Sequence, residues 1–540
     1  MRVKGLFSLL FGLSTILCGQ SGFILPVKHS VYLTGNYGEI RPNHFHAGLD
    51  FRTDVKEHLP IYCIGDGYVS RIKVGTHGYG KVLYITHPNG KVSVYGHQFR
   101  FNDAIRTYVQ SAQEMLESFE VELFPKANEL KVKQGELIGY TGNTGDSEGP
   151  HLHFEIRDEK SEVPLNPLRF LNVLDTVAPT IKTIALYEDD YTTPRLFTIK
   201  DTTDTIQVPM KVGIGVECFD VEQAGGNRNN IYAIELIVDG FVYQRQILDS
   251  IPFDMARYVN TYCDYDLKRE KKIKVQKCFK GKNNDLPIYK NGHTGFIYLE
   301  DTSYHELQVK VYDYYKHFAS ARFTLKRIPP TKMKPIVNPP VSCLGEWEKD
   351  APQYSIDMLE KTLYKDVFMK DSMSKGVLYF YAKDYSVPFH KSVILSLKPN
   401  EHQKKYADKL CIVDAGGAYY NSNYEKEWVN TTTKNFGTYK IVPDTSAPKA
   451  KFVKPRSKKK VKIYKNGDVI NFQVSDDMSG IGAFKIYVNG KFCLAEYEHK
   501  TGIIFFQIDD KTPRGKVRVG LEIWDKKNNL TVSETTIEVE

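Results

Sequence analysis

The sequence predicts a mostly β protein. It reads as an antiparallel, barrel-like β-sheet domain with one inserted helix, followed by immunoglobulin-like β-sandwich modules. Three observations carry that reading. The 540 residues include 35 Tyr and 29 Phe, types that favour strands. Residues 60–99 alternate short β runs with glycine turns. A joint, Asp175-Thr176-Val177-Ala178-Pro179, is echoed as Asp444-Thr445-Ser446-Ala447-Pro448, each ahead of a new β pattern. A chain of this length exceeds a single core, so several domains are expected.

The N-terminus reads as an export signal over residues 1–20. Met1-Arg2-Val3-Lys4 is basic, and Leu6 to Leu17 is an apolar run too short for a spanning helix. Cleavage near Cys18 is favoured over lipidation there, because Ile16-Leu17 is bulkier than a lipidation signal usually allows. The expected location is therefore outside the cytoplasm: periplasmic, cell-envelope or extracellular. No later segment is apolar enough to span a membrane. The formal net charge of +8 suits an anionic polymer without demanding nucleic acid. No phosphate loop or nucleic-acid motif is present in the pattern, so neither partner is expected.

The first folded domain is expected over residues 28–173. Its β runs include Gly67-Tyr68-Val69-Ser70-Arg71-Ile72, Lys81-Val82-Leu83-Tyr84-Ile85 and Val92-Ser93-Val94-Tyr95, with a hairpin turn at Pro88-Asn89-Gly90. Residues 102–124 break this pattern. Ile105, Tyr108, Val109, Ala112, Met115, Leu116 and Phe119 recur at helical spacing, and Asn102 or Asp103 is placed to cap the start. The helix either packs on the outer edge of the domain or walls its cleft.

Three sandwich modules are expected at 179–328, 335–443 and 448–540. The first and last echo each other past the joint. A strand ends at Asp220 or Asp476, and a late strand ends at Asp313 or Asp525. Alternation and turn residues suggest the immunoglobulin-like form, not a diagnostic motif. The basic run Lys454 to Lys460 reads as a solvated loop. The eight cysteines show no C-x-x-C spacing; Cys263 and Cys278 are either a pair or two buried thiols.

The candidate chemistry lies in three short segments. His46-Ala47-Gly48-Leu49-Asp50 supplies an imidazole and a carboxylate. Tyr95-Gly96-His97 supplies a second imidazole. His151-Leu152-His153 supplies two more, and two residues apart on a strand point to one face. Imidazole and carboxylate suit zinc, which in catalytic sites keeps three protein ligands and an open position. Gly48 lets the backbone turn closely around such an ion. Glu155 shares the face of His151 and His153 and is a candidate to orient one of them. His44, His58, His77 and His87 read as surface or structural.

These segments resemble the M23 family of zinc metallopeptidases, the lysostaphin and LytM type of peptidoglycan endopeptidase. The family pattern is H-x-x-x-D, then Y-x-H, then H-x-H. Val132 to Gly139, Thr141-Gly142-Asn143-Thr144-Gly145 and Gly149-Pro150 before His151 match its surroundings. The resemblance covers roughly residues 30–170. It implies zinc as cofactor, His46, Asp50 and His153 as its ligands, and His97 and His151 as catalytic histidines. It implies an exported endopeptidase that hydrolyses the peptide cross-links of peptidoglycan. Whether an activator or another envelope protein is a further partner is left open by the sequence. Two other readings stand beside it. One is a non-enzymatic regulator of wall hydrolysis; the other is a surface adhesion protein whose β modules are its main business.

Overall fold

The computed structural model describes residues 22–29, 31–54, 56–188, 193–199, 205–221, 226–328, 341–383, 385–454 and 463–540. The expected export signal, Cys18 and all of the basic run beyond Lys454 lie outside them. The architecture is mostly β and mostly antiparallel, as the sequence predicts.

The leading domain runs through fourteen strands. They are β1 (Leu33–Gly35), β2 (Ile40–Arg41), β3 (His44–Phe45), β4 (Leu49–Arg52), β5 (Pro60–Tyr62), β6 (Gly67–Val74) and β7 (Lys81–His87). Then come β8 (Lys91–Gly96), β9 (Arg100–Phe101), helix α1 (Asp103–Leu116), β10 (Val121–Leu123), β11 (Lys131–Val132), β12 (Leu137–Tyr140), β13 (His151–Asp158) and β14 (Pro164–Leu165). A nine-stranded sheet has the order β1-β4-β13-β8-β7-β6-β10, with β11 on β6 and β14 on β13. Thus β13 lies between β4 and β8, three strands far apart in sequence. Its register pairs His153 with Asp50 on one side and with Gly96 on the other. Beneath it, Leu49, Phe51, Leu152, Phe154 and Tyr95 are fully buried, so the register cannot slip without exposing them.

The helix is shorter than the sequence pattern suggests. Asn102 caps it by accepting from the Ile105 N–H, but it stops at Leu116 because Glu117 turns left-handed. Residues 121–123 are strand, pairing with β6, because Phe119 and Val121 follow a strand period there. Ile105, Val109 and Gln113 face the core of the leading domain. On its outer side Glu114 pairs with Lys511 and Glu117 with Lys485, both in the last module. The helix is thus a bracket between the first and last parts of the chain.

Three β units follow. Residues 180–327 and 347–443 each form two five-stranded sheets, and residues 449–539 form one of four and one of five. Their cores come from period-two patterning: Val517, Val519, Leu521 and Ile523 are buried while their neighbours face outward. The first and last units share a departure from antiparallel pairing. Thr205–Val208 lies parallel to the edge of Phe318–Arg327, and Ile463–Tyr464 lies parallel to the edge of Leu530–Val539. The sequence echo therefore extends to topology. Cys263 and Cys278 are separate, buried thiols.

An apolar cluster of Ile40, Phe45, Leu248, Ile251, Tyr262 and Tyr364 joins the leading domain to the next two units. The last unit folds back onto the leading domain: Lys81 pairs with Glu496 at 2.8 Å, and Lys500 Nζ donates to the carbonyls of Asn143 and Ser147. Among the described residues no helix is long and apolar enough to cross a membrane.

Candidate metal centre

The pairing of β4 with β13 brings three ligand atoms together. His46 Nε2 and His153 Nδ1 lie 3.0 Å apart, His153 Nδ1 and Asp50 Oδ1 2.9 Å, and His46 Nε2 and Asp50 Oδ1 3.0 Å. All three residues are buried. Such edges are close to the roughly 3.3 Å edge of a tetrahedron built on zinc–ligand bonds.

The hydrogen bonds behind these atoms settle which lone pairs face inward. His46 Nδ1 lies 2.8 Å from the Asn36 carbonyl, which can only accept, so the proton is on Nδ1 and Nε2 is bare. His153 Nε2 donates to Glu155 Oε1 at 2.8 Å, which leaves Nδ1 for the centre. Glu155 is held in turn by Arg157 at 2.7 Å. Asp50 turns Oδ1 inward and gives Oδ2 to Arg41 Nη2 at 2.5 Å. Imidazoles backed by a carboxylate or carbonyl are the usual outer support of bound zinc. The donor set therefore fits the ion that the resemblance implies.

Charge tells the same story. Burial opposes ionisation of Asp50, yet the imidazoles around it, His46 first, hold it well below the carboxylate range. Burial keeps His46 below its ordinary value, hence neutral. Burial also opposes charge on His153, but Asp50 and Glu155 outweigh it and raise the ring to about 9.

His97 and His151 stand beside the triangle with their rings 4.8 Å apart. His97 Nδ1 donates to the Thr144 carbonyl at 2.8 Å, and His151 Nδ1 to the Gly149 carbonyl at 2.8 Å. In each, Nε2 is therefore the free nitrogen; that of His151 is 3.5 Å from Asp50 Oδ1. Burial, then His151 and His153, push His97 down to about 3. His97 also holds a left-handed backbone, φ 57°, which few non-glycine residues adopt outside functional or turn positions.

The five residues singled out in the sequence are thus brought to one place, and Glu155 sits behind His153. Of the other histidines, His87 is buried between the Asp66 carbonyl and Ser93 Oγ, and His44 is exposed. His77 instead joins Asp146 and His499 of the last unit. Arg41-Pro42-Asn43 precedes the first ligand and matches the family's surroundings, but the sequence assigns no role to Arg41 or to Tyr79. Tyr79 stacks on His153 at 5.1 Å and donates to Glu155. Its only sequence signal is its place between Gly78 and Gly80. The carbonyl of Asn36 leaves no sequence signal; Thr144 and Gly149 lie in stretches that match the family's surroundings, which mark the place but not the role of their carbonyls.

Residues 115–167 match peptidase family M23, and residues 345–444 match the Zu5-like domain. A DD-carboxypeptidase/endopeptidase Mpg of Neisseria meningitidis is 31% identical over 23% of this chain and 22% of its own length. Peptidoglycan DD-endopeptidase ShyB of Vibrio cholerae is 35% identical over 25% of this chain and 24% of its own. The catalytic domain of the prophage-encoded M23 protein EnpA from Enterococcus faecalis is 25% identical, covering 27% of this chain and 95% of that one, with a TM-score of 0.20. The chain spans about a fifth to a quarter of the length of these curated relatives. The M23 resemblance is shown, and it concerns the leading domain.

Proposed function

We propose that this chain is an exported zinc endopeptidase that hydrolyses the peptide cross-links of bacterial peptidoglycan. The observation that carries the proposal is the convergence of His46 Nε2, Asp50 Oδ1 and His153 Nδ1, with each ligand's far side already tied down. The substrate class follows the relatives of Vibrio cholerae named as peptidoglycan DD-endopeptidases. Zinc held by these three residues would polarise a peptide carbonyl and acidify an attacking water.

The protein's own groups account for the rest. His97 and His151 present Nε2 atoms beside the ligand triangle, where they can bind the attacking water and relay its proton to the leaving amine, and burial keeps His97 from retaining that proton. Their Nδ1–H bonds to backbone carbonyls fix that tautomer through the cycle. Glu155 and Tyr79 keep the His153 ring from rotating. Arg41 holds Asp50 so that one oxygen stays inward.

The test is digestion of purified cross-linked peptidoglycan by the zinc-loaded chain, read by mass spectrometry of the fragments. Cross-linked dimers should give way to monomers with a new amine and carboxylate. A folded, zinc-bound chain that leaves the dimers intact would overturn the enzyme reading in favour of the regulator.

A further inference from the structure

The repeated joint has a use that peptide hydrolysis does not explain. In the first β unit Asp175 lies in the joint, Asp220 follows the strand Lys211–Phe219, and Asp313 follows Tyr304–Tyr312. In the last unit Asp444 lies in the joint, Asp476 follows Val469–Ser475, and Asp525 ends Gly515–Asp525. In each set, one carboxylate oxygen from every aspartate lies within 4.8 Å of the other two. Five of the six residues are buried and Asp476 is half-buried. The anchoring repeats as well: the N–H of His317 donates to Asp313 Oδ1 at 2.9 Å, and that of Asn529 to Asp525 Oδ1 at 2.8 Å.

We propose that each triad is a binding site for a divalent cation of the calcium type, clamping a joint between β units.

Three carboxylates gathered out of water repel one another unless a cation or protons intervene. In the first set burial, then Asp175 and Asp313, push Asp220 up to about 7. A separate observation points to a ligand. Asn229 is 3% exposed, and neither its Oδ1 nor its Nδ2 has a hydrogen-bond partner among the described residues. Asn229 and Asp220 exchange both backbone hydrogen bonds, at 2.9 and 3.0 Å. Residues opposed in that way send their side chains to the same face. The Asn229 carboxamide is therefore a spare neutral oxygen donor beside Asp220. The last unit has its counterpart. Ser479 is 2% exposed, its Oγ has no partner, and its N–H donates to Asp444 Oδ2 at 3.2 Å. Asp476 Oδ1 is likewise buried and unpartnered.

All these donors are oxygens, which selects a hard ion such as calcium over zinc. Both triads also lie at joints. A cavity beside the first is lined by Asn36 and Tyr37 of the leading domain together with Asp175, Asp220 and Asp313. In the second, the Asp444 N–H donates to the Lys409 carbonyl of the preceding unit at 2.8 Å. A cation there would fix the angle between neighbouring units.

The experiment is calorimetric titration of the full chain with calcium chloride, with zinc kept saturating so that the His46/Asp50/His153 centre does not compete. Two calcium ions per chain are expected. Asp220→Asn and Asp476→Asn should each leave one, and the double variant none. Calcium should raise the unfolding midpoint of the parent by several degrees and leave the double variant unmoved. Asn229→Ala and Ser479→Ala, milder changes, should each weaken one site about tenfold. Absence of binding at millimolar calcium overturns the proposal, as does an unchanged stoichiometry in the folded double variant. Unchanged affinities in Asn229→Ala and Ser479→Ala overturn the ligand assignment.

Discussion

Gly48→Ala probes the centre without touching a ligand. A Cβ at position 48 would lie 2.1 Å from the Phe154 carbonyl oxygen and 2.9 Å from Glu155 Cγ. The first distance is more than an ångström short of the 3.4 Å at which ordinary contact begins. Phe154 cannot yield, because β13 is bonded to β4 on one side and β8 on the other. The segment from His46 to Asp50 must therefore move away from His153 by about an ångström, against ligand edges of 2.9–3.0 Å. Overpacking of this kind costs about 1–3 kcal/mol of stability. A misplacement of that size costs roughly 100-fold in turnover, and zinc affinity should fall with it. Gly149→Ala is the control: it lies two residues from His151, yet its added Cβ meets nothing within 4 Å. Zinc affinity by chelator competition, hydrolysis of cross-linked peptidoglycan and thermal unfolding would be measured on both. Gly48→Ala with parental zinc affinity and turnover would refute the reasoning, because the close approach of the two segments would then be incidental.

Other consequences follow from single contacts. Glu155→Gln strips Arg157 of its main partner and His153 of its orienting carboxylate, so stability should drop by about 3 kcal/mol and zinc affinity with it; chemical denaturation and metal analysis check both. Ile105→Ala opens a hole under α1 and should cost about 2–4 kcal/mol without changing zinc stoichiometry. If Ile105→Ala left stability unchanged, α1 would be a detachable flap and not a bracket. Asp220 predicts a pH effect. Its folded value of about 7 lies above the ordinary 3.8, so between those values the folded state keeps a proton that the unfolded state has lost. Without calcium, its contribution to stability is therefore full below about pH 4 and is lost as pH rises through about 7. The groups facing it are Asp175, Asp313 and His317. Saturating calcium should abolish that loss, and unfolding curves across pH with and without calcium read it.

Much of the leading domain was legible in the sequence because its information is local. Period-two runs and glycine turns marked β6, β7 and β8, and His151-Leu152-His153 declared its shared face through strand geometry alone. The segments that would converge were recognisable only through the resemblance, since nothing in the intervening hundred residues says that β13 will insert between β4 and β8. The helix ends at Leu116, short of the expected 124, because Phe119 suits a helical stripe and a strand equally, and the left-handed turn at Glu117 has no side-chain signature. Arg41 and Tyr79 act across the sheet on Asp50 and Glu155, partners that only folding supplies. The joint at Asp175 and its echo at Asp444 were visible as text. Their place beside two further strand-end aspartates was not, because each triad is assembled from a joint and two strand ends far apart in sequence.

The account rests most directly on the division of labour within one tripeptide. His153 Nδ1 lies 2.9 Å from Asp50 Oδ1 and 3.0 Å from His46 Nε2, whereas His151 Nε2 stands 3.5 Å from Asp50 Oδ1 with its ring toward His97. The measurement is zinc per chain, by elemental analysis, in folded His151→Ala and His153→Ala proteins, with peptidoglycan hydrolysis read in parallel. His153→Ala should lose the metal. His151→Ala should keep about one zinc while turnover falls roughly a hundredfold or more. Zinc retained by His153→Ala and lost from His151→Ala would contradict the assignment of the centre.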